Sequence, residues 1–190
     1  MSIQSVIFDC FGVLCVGSRN YLVSQCKEQG RERLEELFDQ ADYGYISAEE
    51  FLAQAAEVME ITIDTLQGML DRRYARDEGM LEFVRSLRGT YKTALLSNAN
   101  NAIIQKLFSQ DELDELFDAV VISSEVGMIK PSIELFELTA TRLDSTPEEC
   151  VMVDDIEANI VGAMDAGMKG IVFKNLEQGR RDLRELGVNA

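Results

Sequence analysis

Four groups of polar residues have the types and positions of a hydrolytic site, and each lies just after a short apolar run or in the loop that follows one. They are Asp9, Ser97-Asn98, Lys130 and Asp154-Asp155. Three carboxylates repel one another at a shared site unless a divalent cation holds them. Sites rich in carboxylate oxygens and free of histidine favour Mg²⁺. A lysine and a hydroxyl beside them supply the positive charge and the hydrogen bond that a phosphoryl group requires.

The elements that must bring these groups together are short buried strands. Five apolar runs rich in Val and Ile are typical of strands buried on both faces, at residues 6–8, 93–96, 119–122, 150–153 and 170–173. Helical spacing of apolar residues between the runs, as at Leu81, Val84 and Leu87, indicates that strands and helices alternate. We therefore expect a three-layer, Rossmann-like α/β domain with a central parallel sheet, in which ligands bind at the carboxyl ends of the strands.

One segment, residues 17–79, interrupts this alternation with a helical pattern throughout. Leu34, Leu37 and Phe38 fall on one apolar stripe, and Ser47 followed by Glu50 has the spacing of a capping box at a helix start. We expect this segment to be a small α-helical cap inserted after the first strand. The core domain then consists of residues 1–16 and 80–190.

The composition excludes several classes of function. The net charge of −16 repels phosphate backbones, so neither nucleic acid nor an anionic membrane is expected as a partner. The absence of histidine excludes imidazole acid–base chemistry and zinc sites built on histidine. Four cysteines without a C-x-x-C pair, no signal peptide and no apolar run of the ~20 residues that span a bilayer favour a cytoplasmic protein with free thiols.

The sequence resembles the haloacid dehalogenase (HAD) superfamily of hydrolases from end to end. The resemblance rests on four short motifs in the family's order, at residues 6–14, 95–98, 130–131 and 151–155. Each motif alone is weak, but four in order, each just after an apolar run, are specific. The helical segment at 17–79 is also placed like the family's small cap.

The resemblance implies a nucleophile and a metal site. Asp9 would attack the electrophile and become a transient aspartyl ester or aspartyl phosphate. Asp9, the backbone carbonyl of Phe11 and Asp154 would bind Mg²⁺. Asp155 would lie beside them and contact the ion directly or through water.

The resemblance also implies a site for the transferred phosphoryl group. Ser97 and Lys130 would hold that group, with Asn98 in the same substrate-binding set, and Lys130 would offset the negative charge around Asp9. Each residue also has a purely structural interpretation. Asp9 and Asp154-Asp155 could cap helices, Lys130 could be a solvated surface lysine, and Ser97 and Asn98 could satisfy backbone groups in turns.

The sequence departs from the family pattern at one position. Most phosphatases of the family carry a second Asp two residues after the nucleophile, which protonates the leaving oxygen, and this chain has Phe11 there. Such acid–base assistance is typically worth roughly 10²–10⁴-fold. Ordinary alkyl phosphates are therefore expected to react slowly unless the cap or the substrate supplies the proton.

Three alternatives follow from this departure and from the residue set. The dehalogenase branch also lacks the second Asp and expels halide without a proton, but that branch is metal-independent and lacks the acidic pair. A catalytically weak or non-catalytic phosphate-binding protein is a second alternative. A signalling receiver domain has similar residues, but there the acidic pair comes early in the chain, whereas Asp154-Asp155 comes last.

The function expected from the sequence is a Mg²⁺-dependent phosphatase. Its substrate would be a small phosphorylated metabolite, and the protein would be a monomer or a homodimer. The sequence does not identify the substrate, because the cap residues that would select it carry no recognisable pattern.

Overall fold

Five parallel strands form one sheet in the computed structural model, which describes residues 2–189. The strands are β1 (Ser5–Phe8), β2 (Lys92–Ser97), β3 (Ala119–Ile122), β4 (Cys150–Asp154) and β5 (Lys169–Val172). Their order in the sheet is β3-β2-β1-β4-β5. The predicted α/β class with a central parallel sheet is confirmed, and the fifth strand ends one residue earlier than expected, before Phe173.

The central strand, β1, positions the start of the site. Phe8 pairs with Leu95 of β2 on one side and with Val153 of β4 on the other. All four residues of β1 are buried, and their side chains alternate between the two faces of the sheet. Val6 and Phe8 belong to one hydrophobic cluster, and Ile7 belongs to another. This burial on both faces explains the continuous apolar run in the sequence.

Helices cover both faces of the sheet and complete the three layers. The helices whose apolar residues pack with Phe8 are α5 (Glu78–Leu87), α6 (Asn101–Leu107), α7 (Gln110–Leu116) and α11 (Leu176–Glu185). Those on the face of Ile7 are α8 (Ser123–Val126), α9 (Ile133–Arg142) and α10 (Glu157–Asp165). The layers leave the carboxyl ends of the strands free for a site.

Four helices lie between β1 and α5. They are α1 (Arg19–Gln25), α2 (Glu28–Asp42), α3 (Ala48–Met59) and α4 (Ile63–Asp71). Their apolar residues, with Leu34 and Leu37 fully buried, form a hydrophobic cluster of their own. Ser47 and Glu50 make the predicted capping box at the start of α3. The division into a core (1–16 and 80–190) and a cap (17–79) stays a prediction, and α5, which packs on the sheet, begins at Glu78.

The cysteines and the helix lengths bear on two further expectations. All four cysteines are buried and free, as predicted for thiols that fill apolar space. None of the helices between residues 2 and 189 combines the length and apolarity needed to cross a membrane.

Candidate active site

Asp9 and Lys130 meet at the carboxyl ends of the strands. Asp9 directly follows β1, and its backbone N–H donates to the carbonyl of Val153 at 2.9 Å. The Lys130 ammonium donates to Asp9 Oδ1 at 2.7 Å, to Asp154 Oδ2 at 2.6 Å and to the Leu96 carbonyl at 3.2 Å. The Lys130 side chain is 1% exposed, so its interpretation as a solvated surface lysine is wrong.

Asn98 holds the backbone of Lys130. The Asn98 side-chain carbonyl accepts from the Lys130 N–H at 2.8 Å, and its amide donates to the Lys130 carbonyl at 3.1 Å. This pair of bonds joins the loop after β2 to the loop before α9. It fixes the backbone from which the Lys130 side chain reaches the two aspartates.

A carboxylate cluster forms where β1 and β4 end. Asp9, Asp154 and Asp155 each offer an oxygen within 4.8 Å of the others. Asp154 is fully buried, and its Oδ1 accepts from the Ile156 N–H at 2.8 Å and from the Asn159 amide at 3.1 Å. Ile156 is the N-cap of α10, so neither aspartate occupies that position, although Asp154 does bond to the start of the helix.

Asn159 is a site residue that the sequence analysis did not identify. Its amide lies 3.0 Å from Asp154 Oδ2 and is itself buried. Asp154 ends β4, and Asn159 lies five residues later, in the first turn of α10. The start of this helix places the Asn159 amide against the Asp154 carboxylate. That spacing was the available signal, but a lone Asn on a helix is not specific.

The turn after Asp9 approaches Asp155 closely. Gly12 has φ +99°, and a Cβ there would lie 2.3 Å from the Asp155 carboxylate. Both the backbone conformation and the close approach require glycine. The carbonyl oxygen of Phe11, in the same turn, accepts none of the hydrogen bonds found within residues 2–189.

The residues present suit a hard divalent cation. Three carboxylates face one ammonium, which leaves an excess of two negative charges in a largely buried site. Each carboxylate has more acceptor positions than its hydrogen bonds use, and the Phe11 carbonyl is an additional oxygen ligand. Mg²⁺ favours such oxygen donors. Asp9, the Phe11 carbonyl, Asp154 and Asp155 are the residues that would hold it.

Burial and charge shift the ionisation of the site. Burial raises the pKa of Asp9 to about 7; the Lys130 ammonium acts in the opposite direction, and Asp154 adds to the rise. Burial lowers the pKa of Lys130, but Asp9 and Asp154 outweigh it, so the net shift is upward. Burial, followed by Asp154, raises the pKa of Asp155. The raised pKa values of Asp9 and Asp155 mean that burial and mutual repulsion disfavour their ionised forms, which a bound cation would stabilise.

Ser97 ends β2 with a buried hydroxyl. Its Oγ has no hydrogen-bond partner in the part of the chain that the structure describes. This contradicts the interpretation in which Ser97 satisfies backbone groups in a turn. A buried hydroxyl without a partner costs free energy unless a ligand supplies one, although Ser97 is fully buried and is not among the residues that line the cavity beside the cluster.

A cavity of about 1010 Å³ opens beside the cluster. The sequence-predicted residues Asp9, Phe11, Asn98, Lys130 and Asp155 line it. The helices between β1 and α5 line the same cavity, with Arg19, Phe38 and Asp42 among their contributions. The space adjoining the aspartates is thus shared by the sheet and these helices.

A family model gives these features a context. The model described as haloacid dehalogenase-like hydrolase matches residues 3–167. The chain belongs to this family. As a HAD-like hydrolase it carries the four motifs in the expected order, and the resemblance noted from the sequence is confirmed.

Two kinds of curated relative are similar to this HAD-like hydrolase. A D-ribitol-5-phosphate phosphatase from Bacteroides thetaiotaomicron is 26% identical over 95% of this chain and 97% of its own length. The pyrophosphatase PpaX of Bacillus cereus is 36% identical, but the match covers 48% of this chain and 43% of PpaX. The first similarity therefore extends over the whole molecule and the second over about half of it.

Solved structures share the fold. A HAD family enzyme from Bacteroides thetaiotaomicron, crystallised as a magnesium complex, superposes with a TM-score of 0.79 at 23% identity, covering 97% of this chain and 100% of that one. A HAD-like hydrolase from Porphyromonas gingivalis gives 0.78 at 24%, with complete coverage of both chains. The L-2-haloacid dehalogenase of Xanthobacter autotrophicus gives 0.61 at 20%, covering 99% and 85%.

Proposed function

We propose that this HAD-like hydrolase is a Mg²⁺-dependent phosphatase that cleaves small phosphorylated metabolites through an aspartyl phosphate at Asp9. The observation that carries the proposal is the cluster of Asp9, Asp154 and Asp155 within 4.8 Å, with the Lys130 ammonium bonded to two of them. The ribitol-phosphate phosphatase similar over its whole length supports a phosphorylated polyol as the first substrate to assay.

The roles of the residues follow from their contacts. Asp9 Oδ2 is free of the Lys130 ammonium, which bonds Oδ1, so Oδ2 is the oxygen that attacks phosphorus. The ammonium of Lys130 and the free hydroxyl of Ser97 bind the phosphoryl oxygens, where negative charge is spread in the transition state. Asn98 positions Lys130 through its backbone. A bound Mg²⁺ would supply further positive charge to the phosphoryl oxygens.

The burial of Asp9 and its neighbours also limits the access of water to the site. Asp9 is 7% exposed and Asp154 is fully buried, so the nucleophile works in a poorly hydrated site. Electrostatic interactions with the phosphoryl group are stronger in such a site than in water. The burial that raises the pKa of Asp9 thus also strengthens the binding of the cationic groups to substrate.

Dehalogenation remains the second candidate because Phe11 occupies the position of the usual acid. The acidic cluster opposes it, since Asp154 and Asp155 beside Asp9 would disfavour attack by Asp9 on a halocarbon without a cation. The overlap with the haloacid dehalogenase fold, at a TM-score of 0.61, concerns the fold alone.

The test is a panel of phosphate esters that includes ribitol 5-phosphate, other sugar and polyol phosphates and pyrophosphate, each with Mg²⁺ or EDTA. We expect release of inorganic phosphate that requires Mg²⁺. Asp9→Asn should lower kcat by about 10⁴-fold or more, because an amide does not replace the nucleophile. Asp165→Asn, an exposed position on α10, is the matched control and should leave kcat unchanged.

The same assays separate the alternatives. Turnover that survives EDTA, or that survives Asp9→Asn, contradicts the mechanism. Metal-independent halide release from 2-haloacids would favour the dehalogenase. Binding of phosphate without turnover of any ester would favour a non-catalytic phosphate-binding protein.

A further inference from the structure

The leaving group of an alkyl phosphate needs a proton, and Phe11 has none to give. The carboxyl groups among the residues that line the cavity are those of Asp9, Asp42, Asp77, Glu78 and Asp155. Asp9 and Asp155 belong to the cluster already assigned. Asp77 accepts the Met80 N–H at 3.0 Å as the N-cap of α5, and Glu78 is 72% exposed and paired with Arg76. Asp42, the last residue of α2, remains.

Two close contacts hold the end of α2 against the catalytic loops. The Ser123 hydroxyl donates to the Asp42 carbonyl at 2.5 Å and accepts the Ala99 N–H at 3.0 Å. A Cβ at Gly44, whose φ is +77°, would lie 2.4 Å from the Ser124 carbonyl oxygen. Ala99 directly follows Asn98, which positions Lys130. Asp42 is therefore fixed relative to the loops that follow β2 and β3.

The environment of the Asp42 side chain is largely buried and only weakly neutralised. Its side chain is 16% exposed, and Arg19 of α1 approaches it at 3.5 Å. That guanidinium is held more closely by Glu35 and Asp39 of α2, at 2.7 Å each. Asp42 therefore has only a long contact with a cation that two other carboxylates share.

These surroundings favour a protonated carboxyl near neutral pH. Burial raises the pKa of Asp42 to about 7, Arg19 acts against the rise, Asp39 adds to it, and Lys130 in the loop before α9 opposes it. A general acid is most effective when its pKa lies near the working pH. Asp42 and Asp9 line the same cavity.

We propose that Asp42 is the general acid and base that replaces the aspartate missing at Phe11, which rests on the proposed phosphatase function. As the bond between Asp9 Oδ2 and phosphorus forms, the ester P–O bond breaks and its electron pair stays on the leaving oxygen. That oxygen takes the proton of the Asp42 carboxyl and departs as an alcohol. Water then attacks phosphorus and gives a proton to the Asp42 carboxylate, while the bond between phosphorus and Asp9 Oδ2 breaks with its electron pair on Asp9. Inorganic phosphate leaves, with the Asp9 carboxylate and the protonated Asp42 restored.

The experiment compares Asp42→Asn with Asp39→Asn on two esters. Both residues contact Arg19, but Asp39 is 55% exposed and lies outside the cavity lining. Single-turnover rates of leaving-group release, the step before water attacks, are measured with Mg²⁺ on ribitol 5-phosphate, or the best alkyl ester of the panel, and on 2,4-dinitrophenyl phosphate, whose leaving group departs without a proton. Asp42→Asn should slow the alkyl ester by roughly 10²–10⁴-fold and the aryl ester by less than about tenfold. Asp39→Asn should leave both rates close to wild type.

The pH profile is a second readout. Because the acid must be protonated, the wild-type rate on the alkyl ester should fall as pH rises through about 7, and Asp42→Asn should lose that limb. Equal losses on both esters, the same loss in Asp39→Asn, or an unchanged limb would overturn the role of Asp42. Wild-type protein that hydrolyses no ester would instead refute the phosphatase function, so the two failures are distinguishable.

Discussion

Lys130 is the residue on which the charge balance of the site depends. Its ammonium contacts Asp9, Asp154 and the Leu96 carbonyl, and its side chain is 1% exposed. Removing one partner of a buried ion pair leaves uncompensated charge, which costs far more than breaking an exposed pair. The residue proposed to bind the phosphoryl group is thus also needed to stabilise the folded protein.

Lys130→Met should lower the free energy of unfolding by about 3–5 kcal/mol in EDTA, because Asp9 and Asp154 lose their counter-charge. It should also abolish phosphate release. Lys27→Met, which breaks the exposed pair with Glu60, is the control and should cost about 0–1 kcal/mol. Urea denaturation of the wild type and of the two variants measures both changes in the free energy of unfolding. A loss as small in Lys130→Met as in Lys27→Met would contradict the assigned role.

At the scale of elements, the turn after β1 brings Gly12, the residue after Phe11, against the Asp155 carboxylate. Gly12 permits this approach because its φ is positive and because it has no Cβ that would clash with the Asp155 carboxylate. Gly89 also has a positive φ, of +87°, but a Cβ there meets nothing within 4 Å. Comparing an alanine substitution at each glycine therefore distinguishes the effect of backbone strain from the effect of crowding at the Asp155 carboxylate.

Gly12→Ala should weaken Mg²⁺ binding by about tenfold or more, because the new methyl group displaces Asp155, and should cost about 1–2 kcal/mol of stability through backbone strain. Gly89→Ala should show the strain without the loss of affinity. Calorimetric titration with Mg²⁺ and thermal unfolding measure the two effects. Equal Mg²⁺ affinity in the two variants would sink the prediction.

The strands were predictable because burial on both faces leaves continuous apolar runs, as at residues 6–8 and 150–153. The site residues at strand ends, Asp9 and Asp154, followed from the same signal. Asp42 did not, because its position depends on contacts of the end of α2 that are distant in sequence: its carbonyl accepts from Ser123, and nearby Gly44 approaches Ser124. A contact between residues that are distant in sequence leaves no local sequence pattern from which it could be predicted.

Within residues 2–189 there are three hydrophobic clusters, two on the faces of the sheet and one among α1–α4. The buried residues of the third cluster are separate from those of the other two, and the cavity is lined both by these helices and by residues at the strand ends. This arrangement is typical of two units whose stabilities differ. It supports the division at residues 17 and 79 as a hypothesis.

Leu34→Ala, in the fully buried position on α2, should cost about 2–5 kcal/mol locally. Hydrogen exchange should then show lost protection in residues 19–71 while the amides of β1, β2 and β4 stay protected. Leu95→Ala, at an equally buried position on β2, should instead lower the protection of the amides of β1, β2 and β4 while residues 19–71 keep theirs. Uniform loss in both variants would mean that the helices and the sheet unfold as one unit.

The central place of β1 in the sheet has a consequence for synthesis. β1 is made before the other four strands of the sheet, and its neighbours in the sheet are β2 and β4. Asp9 and Lys130 are 121 residues apart, so at about 5–20 residues per second the nascent chain waits about 6–24 s for this partner. During that interval the apolar strand β1 and Asp9, the proposed nucleophile, lack their partners and are available to chaperones. The carboxylate cluster is therefore completed only after the helices α1–α4 have emerged.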